Sequence, residues 1–126
     1  MIIKINMQSE VPIYLQLRNE IVKGIGRGEF EPGESLPTVR QMATDLGINT
    51  MTVSKAYQLL KTEGFRRKGT TICYPTSSAP QDNRFDEKLT DELELLSAEA
   101  KFHGMTLTDF LEFCQRAFNE MEVTAK

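Results

Sequence analysis

Short side chains that donate and accept hydrogen bonds are concentrated just after Gly47 and Ile48. They are Thr50, Thr52, Ser54 and Lys55, with Met51 as the apolar exception. Serine and threonine hydroxyls and lysine ammonium groups form hydrogen bonds with base edges and phosphates when a helix presents them to the major groove of DNA. The stretch therefore predicts a surface for double-stranded DNA, provided that the flanking sequence builds a helix that exposes it.

The flanking sequence predicts two short helices joined by a tight turn over residues 36–60. Thr38 can cap the first helix and Gln41 can reach back to it, which is the spacing of a capping box. Gly47 can end this helix in a left-handed conformation, and Asn49 can cap the second, or recognition, helix. Apolar residues recur at helical spacing on one side of each helix: Val39, Met42, Ala43, Leu46, Val53, Ala56, Tyr57 and Leu60. The pattern is that of a helix-turn-helix.

The elements on either side separate this interpretation from an ordinary three-helix domain, in which two helices also meet at a glycine. Residues 11–27 predict a preceding helix, with Pro12 in a first turn where its missing N–H does no harm. Residues 65–75 alternate around Gly69 and predict a β-hairpin, or wing. The basic residues near its tip are Arg66, Arg67 and Lys68. Three helices followed by a hairpin is the order of a winged helix-turn-helix domain.

The C-terminal part predicts a linker and two further helices. Residues 76–83 combine proline, serine and polar residues without periodicity, and residues 84–122 contain two helical patterns that meet at Gly104. Two helices of this size, each apolar on one face, cannot bury those faces well alone. We expect a four-helix, twofold dimer built on Phe85, Leu89, Leu93, Leu96, Phe110, Leu111, Cys114 and Phe118. The alternative is that both helices fold back on the winged domain as ordinary core.

The predicted fold class is mainly α, with α+β character from the wing. A winged helix-turn-helix domain over residues 1–75 is followed by the linker 76–83 and a two-helix dimerisation hairpin over 84–122. Residues 1–78 carry a net charge of +3 and residues 79–126 one of −6. Phosphates would repel the acidic part, so we expect it to point away from DNA.

Composition places the chain among globular proteins, since 40% of its 126 residues are hydrophobic and 26% are charged. No apolar run approaches the ~18 residues of a spanning helix, and the N-terminus lacks the apolar core of a secretory signal. We therefore expect no membrane partner and a cytoplasmic location. In such a reducing compartment, Cys73 and Cys114 are expected to be buried small hydrophobes rather than a disulfide.

With these residues assembled, the chain resembles the GntR family of bacterial transcription regulators, and within it the short-tailed YtrA-like branch. The matching segments are PIYLQL (12–17), GEFEPGESLPTVRQMA (28–43), TMTVSKAYQLLKTEG (50–64) and GTTI (69–72). They cover nearly all of the first 75 residues. Beyond them the resemblance lies in chain length and in the presence of two helices. Larger branches carry an effector-binding domain, for which this sequence leaves no room.

The resemblance implies that DNA is read by an arginine after the LP motif, by the start of the recognition helix and by the wing. The predicted DNA-binding residues are Thr38, Arg40, Asn49, Thr50, Met51, Thr52, Ser54, Lys55, Arg66, Arg67, Lys68 and Gly69. Arginine can also bond a guanine edge with two parallel hydrogen bonds. A salt bridge from Arg40 to Asp45 or Glu34 is the alternative role for this side chain.

Two departures from the family pattern affect what the resemblance implies. Relatives often have arginines at the positions of Thr50 and Ser54, so no operator sequence follows from kinship. Relatives also usually have several more residues between Gly64 and Gly69. Either the wing of this chain is truncated or residues are missing from this stretch of the sequence, so the family's roles do not carry over directly to Arg66, Arg67 and Lys68.

An enzyme is the competing class with the least support. His103 is the single histidine and has no cysteine or carboxylate partner at a suitable spacing. A group of carboxylates lies on the outer face of an amphipathic helix and indicates a solvated surface rather than a metal site: Asp86, Glu87, Asp91, Glu92 and Glu94. We expect no catalytic residues, no metal and no cofactor. A winged helix that binds protein instead of DNA is the other alternative, and it would need neither Arg40 nor a basic wing.

The sequence thus predicts a homodimeric, sequence-specific DNA-binding regulator, with repression of its own operon as the expected role. Two recognition helices would enter successive major grooves about 34 Å apart on a near-palindromic site. A small effector is compatible with this scheme, and the sequence identifies none.

Overall fold

The computed structural model describes residues 3–30, 33–66 and 83–121. These ranges contain five helices: α1 (Ile13–Gly26), α2 (Val39–Leu46), α3 (Thr50–Thr62), α4 (Asn83–Phe102) and α5 (Leu107–Glu120). The chain divides into two compact units, one containing α1 to α3 and the other containing α4 and α5. The predicted mainly α architecture is confirmed.

The wing and the linker were predicted at positions that the structure describes only at their ends. Of the predicted hairpin over 65–75, Phe65 and Arg66 are described, and Arg67, Lys68, Gly69 and Cys73 lie outside the described residues. Within the described ranges, β structure is limited to isolated bridges at Ser35 and Arg66. The linker predicted over 76–83 lies outside as well, apart from Asn83, which begins α4.

Helix α1 is slightly shorter than its sequence pattern suggested. Pro12 is the N-cap, with φ −55° and ψ 145°, so it precedes the helix rather than forming its first turn. The backbone N–H of Val11 instead donates to the Ser9 hydroxyl over 3.0 Å, in a turn that leads into the helix. At the other end Arg27 is the C-cap, and Gly28 follows with φ 74°, a conformation that costs a glycine little.

Helix α3 is the centre of the first unit, because it packs against both α1 and α2. Its buried face matches the predicted apolar stripe of Val53, Ala56, Tyr57 and Leu60. The complete buried core is Leu17, Ile21, Phe30, Leu36, Met42, Ala43, Val53, Ala56, Tyr57 and Leu60. Removing this apolar surface from water is the main force that holds the three helices together. The opposite face of α3 is left available for binding.

A salt bridge joins α1 to the C-terminal end of α3. The Arg18 Nε donates to Glu63 Oε1 over 2.8 Å, and the Arg18 guanidinium carbon lies 5.5 Å from the centre of the Phe65 ring. Glu63 is the C-cap of α3, and Phe65 opens the segment predicted as the wing. A single arginine of α1 therefore holds both the end of the recognition helix and the beginning of the next segment.

A second set of polar contacts closes the N-terminal segment onto α1. The side-chain oxygen of Gln16 accepts a bond from the Asn6 backbone N–H over 2.7 Å. The Gln16 amide nitrogen donates to the backbone carbonyls of Asn6, over 2.9 Å, and Val11, over 2.8 Å. We refer to these three bonds as the Gln16 clasp. They fix the approach of the chain to α1 without a side-chain cap.

Candidate nucleic-acid interface

The start of α2 is fixed by Thr38, as its sequence position predicts. The Thr38 hydroxyl accepts a hydrogen bond from the Gln41 backbone N–H over 3.1 Å. The second half of the predicted capping box is wrong, because the Gln41 side chain does not turn back to Thr38. Its amide donates to Asp45 Oδ1 over 2.8 Å, one helical turn further along. Residues four apart on a helix are neighbours, which makes Asp45 the accessible partner.

The turn between α2 and α3 depends on one glycine. Gly47 has φ 68° and ψ 35°, and its backbone N–H bonds back to Thr44. Ile48 follows, donates its N–H to the Ala43 carbonyl over 3.0 Å and packs against the core. A left-handed conformation costs residues with a Cβ roughly 1–2 kcal/mol, which explains the glycine. The predicted role of Gly47 is confirmed.

Asn49 caps α3 and thereby orients its first turn. Its side-chain oxygen accepts a bond from the Met51 backbone N–H over 2.6 Å. Side chains predicted to contact DNA are exposed along this end of the helix: Asn49, Thr50, Met51, Ser54 and Lys55. Thr52 is half-buried, because it faces partly towards the domain. The first turn of α3 thus combines a fixed backbone with accessible polar side chains.

Arg40 is exposed on the first turn of α2. The salt bridge to Asp45 or Glu34 that was its alternative role is not formed among the described residues. Asp45 instead accepts the bond from Gln41. Within the described ranges, neither of these carboxylates pairs with the exposed Arg40 guanidinium.

Lys55 is held by an aromatic ring of α1. Its ammonium nitrogen lies 4.1 Å from the centre of the Tyr14 ring, which is within the range of a cation–π interaction. Both residues line a surface groove of about 610 Å³ that also includes Met51 and Ser54. Lys55 lies one turn after Met51, so its charge flanks the start of α3. Because Tyr14 belongs to α1, the contact between Tyr14 and Lys55 allows α1 to restrain this charge. Sequence reasoning missed this role of Tyr14, since nothing in a single helix indicates which ring meets which cation.

Tyr57 joins α3 to the segment that precedes α2. The Tyr57 side chain is buried, and its hydroxyl donates to the Pro37 backbone carbonyl over 2.7 Å. Burial raises the pKa of Tyr57 to about 12, and the nearby charge of Arg66 opposes that rise. The sequence placed Tyr57 correctly in the core, and a tyrosine hydroxyl in an apolar stripe could have signalled a buried hydrogen bond.

Arg66 was predicted to bind DNA, and its guanidinium lies against the recognition helix. The Arg66 Nε donates to the Tyr57 backbone carbonyl over 2.6 Å, and the guanidinium carbon is 5.7 Å from the Tyr57 ring centre. This contact supports the base of the segment that leads into the predicted wing. The neighbouring candidates Arg67, Lys68 and Gly69 lie outside the described residues.

The second unit presents largely uncovered apolar side chains. The start of α5 is fixed by Thr106, whose hydroxyl accepts a hydrogen bond from the Asp109 backbone N–H over 3.1 Å. Helix α5 contains no buried residue, and α4 and α5 do not pack along each other's length. Exposed members of the predicted dimer interface are Phe85, Leu89, Leu93, Leu96, Leu111, Cys114 and Phe118, and Phe110 is half-buried. The expectation that Cys114 is buried is wrong for the single chain, because no described element covers α5.

The described residues bring together few groups that could do other chemistry. No set of three or more histidine, cysteine, aspartate or glutamate residues in these ranges could hold a metal ion. The predicted acidic group includes Asp86, Glu87 and Asp91, which are exposed on α4. His103 is exposed and meets the Phe102 ring edge-on, with ring centres 5.3 Å apart. Among the same residues, no helix has the length and apolar character needed to cross a lipid bilayer.

Two capped helices meet at a glycine turn, and α3 packs against both α1 and α2 while the start of α3 stays exposed. This arrangement defines a helix-turn-helix domain of the DNA-binding class. Residues 13–72 match the family model described as "Bacterial regulatory proteins, gntR family". The chain is 31% identical over 115 residues to the HTH-type transcriptional repressor YtrA of Bacillus subtilis, covering 88% of each chain. This chain belongs to the GntR family.

Solved structures support the same assignment. A GntR-family transcription factor, YtrA from Sulfolobus acidocaldarius, is 35% identical with a TM-score of 0.59, over 75% of this chain and 99% of that one. A protein described as a transcriptional antiterminator from Listeria monocytogenes EGD-e is 25% identical with a TM-score of 0.86, over 100% and 98% of the two chains. The predicted resemblance to the YtrA-like branch is confirmed, as is the winged-helix fold class. The chain is therefore a DNA-binding transcription regulator and not an enzyme.

Proposed function

We propose that this chain is a homodimeric, sequence-specific repressor that binds a near-palindromic operator upstream of its own operon. The observation that carries the proposal is the exposed first turn of α3, capped by Asn49, together with the exposed Arg40 on α2. A fixed backbone orients the polar side chains of α3 for base edges, and an exposed arginine suits a guanine. Binding to an operator would require a cytoplasmic location.

The dimer would form through the second unit. The exposed apolar residues Leu89, Leu93 and Leu96 lie on α4, and Leu111 and Phe118 lie on α5. Because α4 and α5 cover each other little, a second copy is the simplest partner for these faces. A twofold axis would set two α3 helices about 34 Å apart, one per half-site of the operator.

Repression is supported by kinship, because the B. subtilis relative YtrA is named as a transcriptional repressor. A bound recognition domain near a promoter would exclude the transcription machinery from the same DNA. A small effector could relieve repression only if it bound more tightly to a state that does not bind DNA than to the DNA-competent dimer. In this scheme the effector would change the spacing of the two recognition helices or the dimer itself.

The proposal is tested by measuring binding to the DNA upstream of the chain's own gene, against random duplex, at two salt concentrations. We expect the wild type to prefer the upstream DNA and to lose affinity as salt rises. Arg40→Ala should lose roughly 1–3 kcal/mol of discrimination. Lys61→Ala is the matched control, because it removes one positive charge from the last turn of α3, far from the cap.

Two outcomes would contradict different parts of the proposal. If wild type bound upstream DNA and random duplex equally well, repression of its own operon would be wrong. If Arg40→Ala and Lys61→Ala behaved alike, Arg40 would not read a base.

A further inference from the structure

Met51 is an unusual residue for its position in the fold. Its side chain is 77% exposed on the first turn of α3. Helices α1, α2 and α3 are described throughout, and within them it is the only large hydrophobic side chain exposed to this degree. It takes no part in the buried core. The fold therefore does not require an apolar side chain here.

Capping does not require the methionine side chain either. Asn49 bonds the backbone N–H of Met51, and any residue other than proline supplies that donor. The side chain projects beside Ser54 and Lys55, which lie three and four residues further along the same face. An apolar group thus stands next to a hydroxyl and a restrained cation, at the end of the helix that is proposed to enter the major groove.

The major groove offers one apolar feature among its hydrogen-bonding groups, the C5-methyl of thymine. Phosphates and sugars flank the groove and would meet Lys55 rather than a thioether. Methionine is unbranched and polarizable, so it adapts to a small methyl group without a preformed pocket. Thymine is therefore the base whose major-groove edge offers an apolar group for the Met51 side chain.

We propose that Met51 is a specificity-determining residue that contacts the C5-methyl of a thymine in each operator half-site. The inference rests on the proposed function, in which α3 enters the major groove. It adds the identity of a base, which the family resemblance does not supply.

The test uses the full chain and a duplex that the wild type selects repeatedly from a random-sequence pool. Each thymine of that duplex is replaced in turn by uracil, which removes only the methyl group. We expect one thymine per half-site at which the replacement weakens wild-type binding about fourfold, as for one buried methyl group. Met51→Leu, which keeps an apolar end, should show the same loss. Met51→Gln, of similar length and helix propensity, should bind thymine and uracil duplexes equally.

The outcomes separate the inference from the proposed function. If no uracil replacement changes affinity, or if Met51→Gln retains the same loss, the thymine contact is overturned while sequence-specific binding stands. If the wild type selects no sequence at all, both are overturned. Because the side chain is 77% exposed, all three proteins should have the same helical circular dichroism spectrum and melting temperature.

Discussion

The Tyr57 hydroxyl and the Pro37 carbonyl are joined by a hydrogen bond of 2.7 Å between α3 and the segment entering α2. The same tyrosine accepts a bond at its own carbonyl from Arg66, over 2.6 Å. One buried residue of the recognition helix therefore contacts the segments on both sides of it. One of these segments leads into α2, which carries Arg40, and the other leads into the predicted wing. Tyr57 therefore supports the arrangement of all three elements that the sequence predicts to contact DNA.

Replacing Tyr57 by phenylalanine should keep the ring in the core and remove only the bond to Pro37. We expect the free energy of unfolding at pH 7 to fall by about 1–2 kcal/mol, because the Pro37 carbonyl loses its partner. Urea unfolding followed by circular dichroism measures this change. An unchanged free energy of unfolding would show that the hydrogen bond between Tyr57 and Pro37 makes no net contribution to stability.

The same variant should show a distinct dependence on pH. Burial raises the pKa of Tyr57 from 10.0 to about 12, so the folded state holds the phenolic proton more tightly than the unfolded state. The resulting stability is fully present below pH 10 and is lost as pH rises towards 12, by up to roughly 1.4 kcal/mol per pH unit. The stability advantage of wild type over Tyr57→Phe should therefore shrink between pH 10 and 12. A constant difference would contradict the raised pKa.

Removing the Asn49 cap should lower the stability of the domain. Asn49→Ala leaves the Met51 N–H without its acceptor and should cost about 1 kcal/mol of unfolding free energy. Asn49→Asp keeps an acceptor at the same place and should restore most of that loss. Thermal unfolding of the three proteins compares them. Equal melting temperatures for the alanine and aspartate variants would show that the cap is not the cause.

The contact between Lys55 and Tyr14 should appear as coupling in DNA binding. Lys55→Ala should weaken binding and reduce the slope of log affinity against log salt by about 1, as for one lost phosphate contact. Tyr14→Leu should weaken binding about two- to fivefold, the equivalent of an exposed cation–π interaction. The double variant should be no weaker than Lys55→Ala, and Tyr14→Phe should resemble wild type. Fully additive effects would mean that the ring does not position the cation.

A charge in the proposed dimer interface should separate the two copies. Leu96 is 51% exposed in the single chain, so Leu96→Glu should leave each copy folded. Burying a leucine contributes roughly 1.5–3 kcal/mol, so we expect the dimer dissociation constant to rise at least about tenfold. Sedimentation velocity measures it, with Glu94→Gln as the control on the same helix. A variant that remained as dimeric as the control would exclude this face of α4 from the interface.

The parts of the site that sequence reasoning predicted well depend on local geometry. Thr38, Gly47 and Asn49 each act within a few residues of their own position, where chain geometry leaves few alternatives. The buried stripe of α3 followed from the helical repeat, because one face of a short amphipathic helix must be covered. Helix ends also depend on local capping and turn residues. Helix α1, predicted over residues 11–27, therefore differed from the prediction by only two residues at its start and one at its end.

The parts that sequence reasoning missed depend on which elements meet in space. The pairing of Lys55 with Tyr14, 41 residues apart, follows from the packing of α1 on α3. The Tyr57 to Pro37 bond and the Arg18 to Glu63 salt bridge arise in the same way. Arg66 shows the converse, because its charge suggested DNA, whereas the structure shows it donating to the Tyr57 backbone carbonyl. The predicted roles of Arg67, Lys68 and Gly69 stay predictions.

The Gln16 clasp has a consequence for the order in which this domain opens. A chain segment outside any helix normally exchanges its amide hydrogens quickly, because little protects them. Here the Asn6 amide is bonded to a side chain of α1, and Gln16 in turn holds the Asn6 and Val11 carbonyls. Deuterium uptake at Asn6 should therefore require the Gln16 clasp to open. The segment before α1 is then tied to that helix and does not behave as a frayed end.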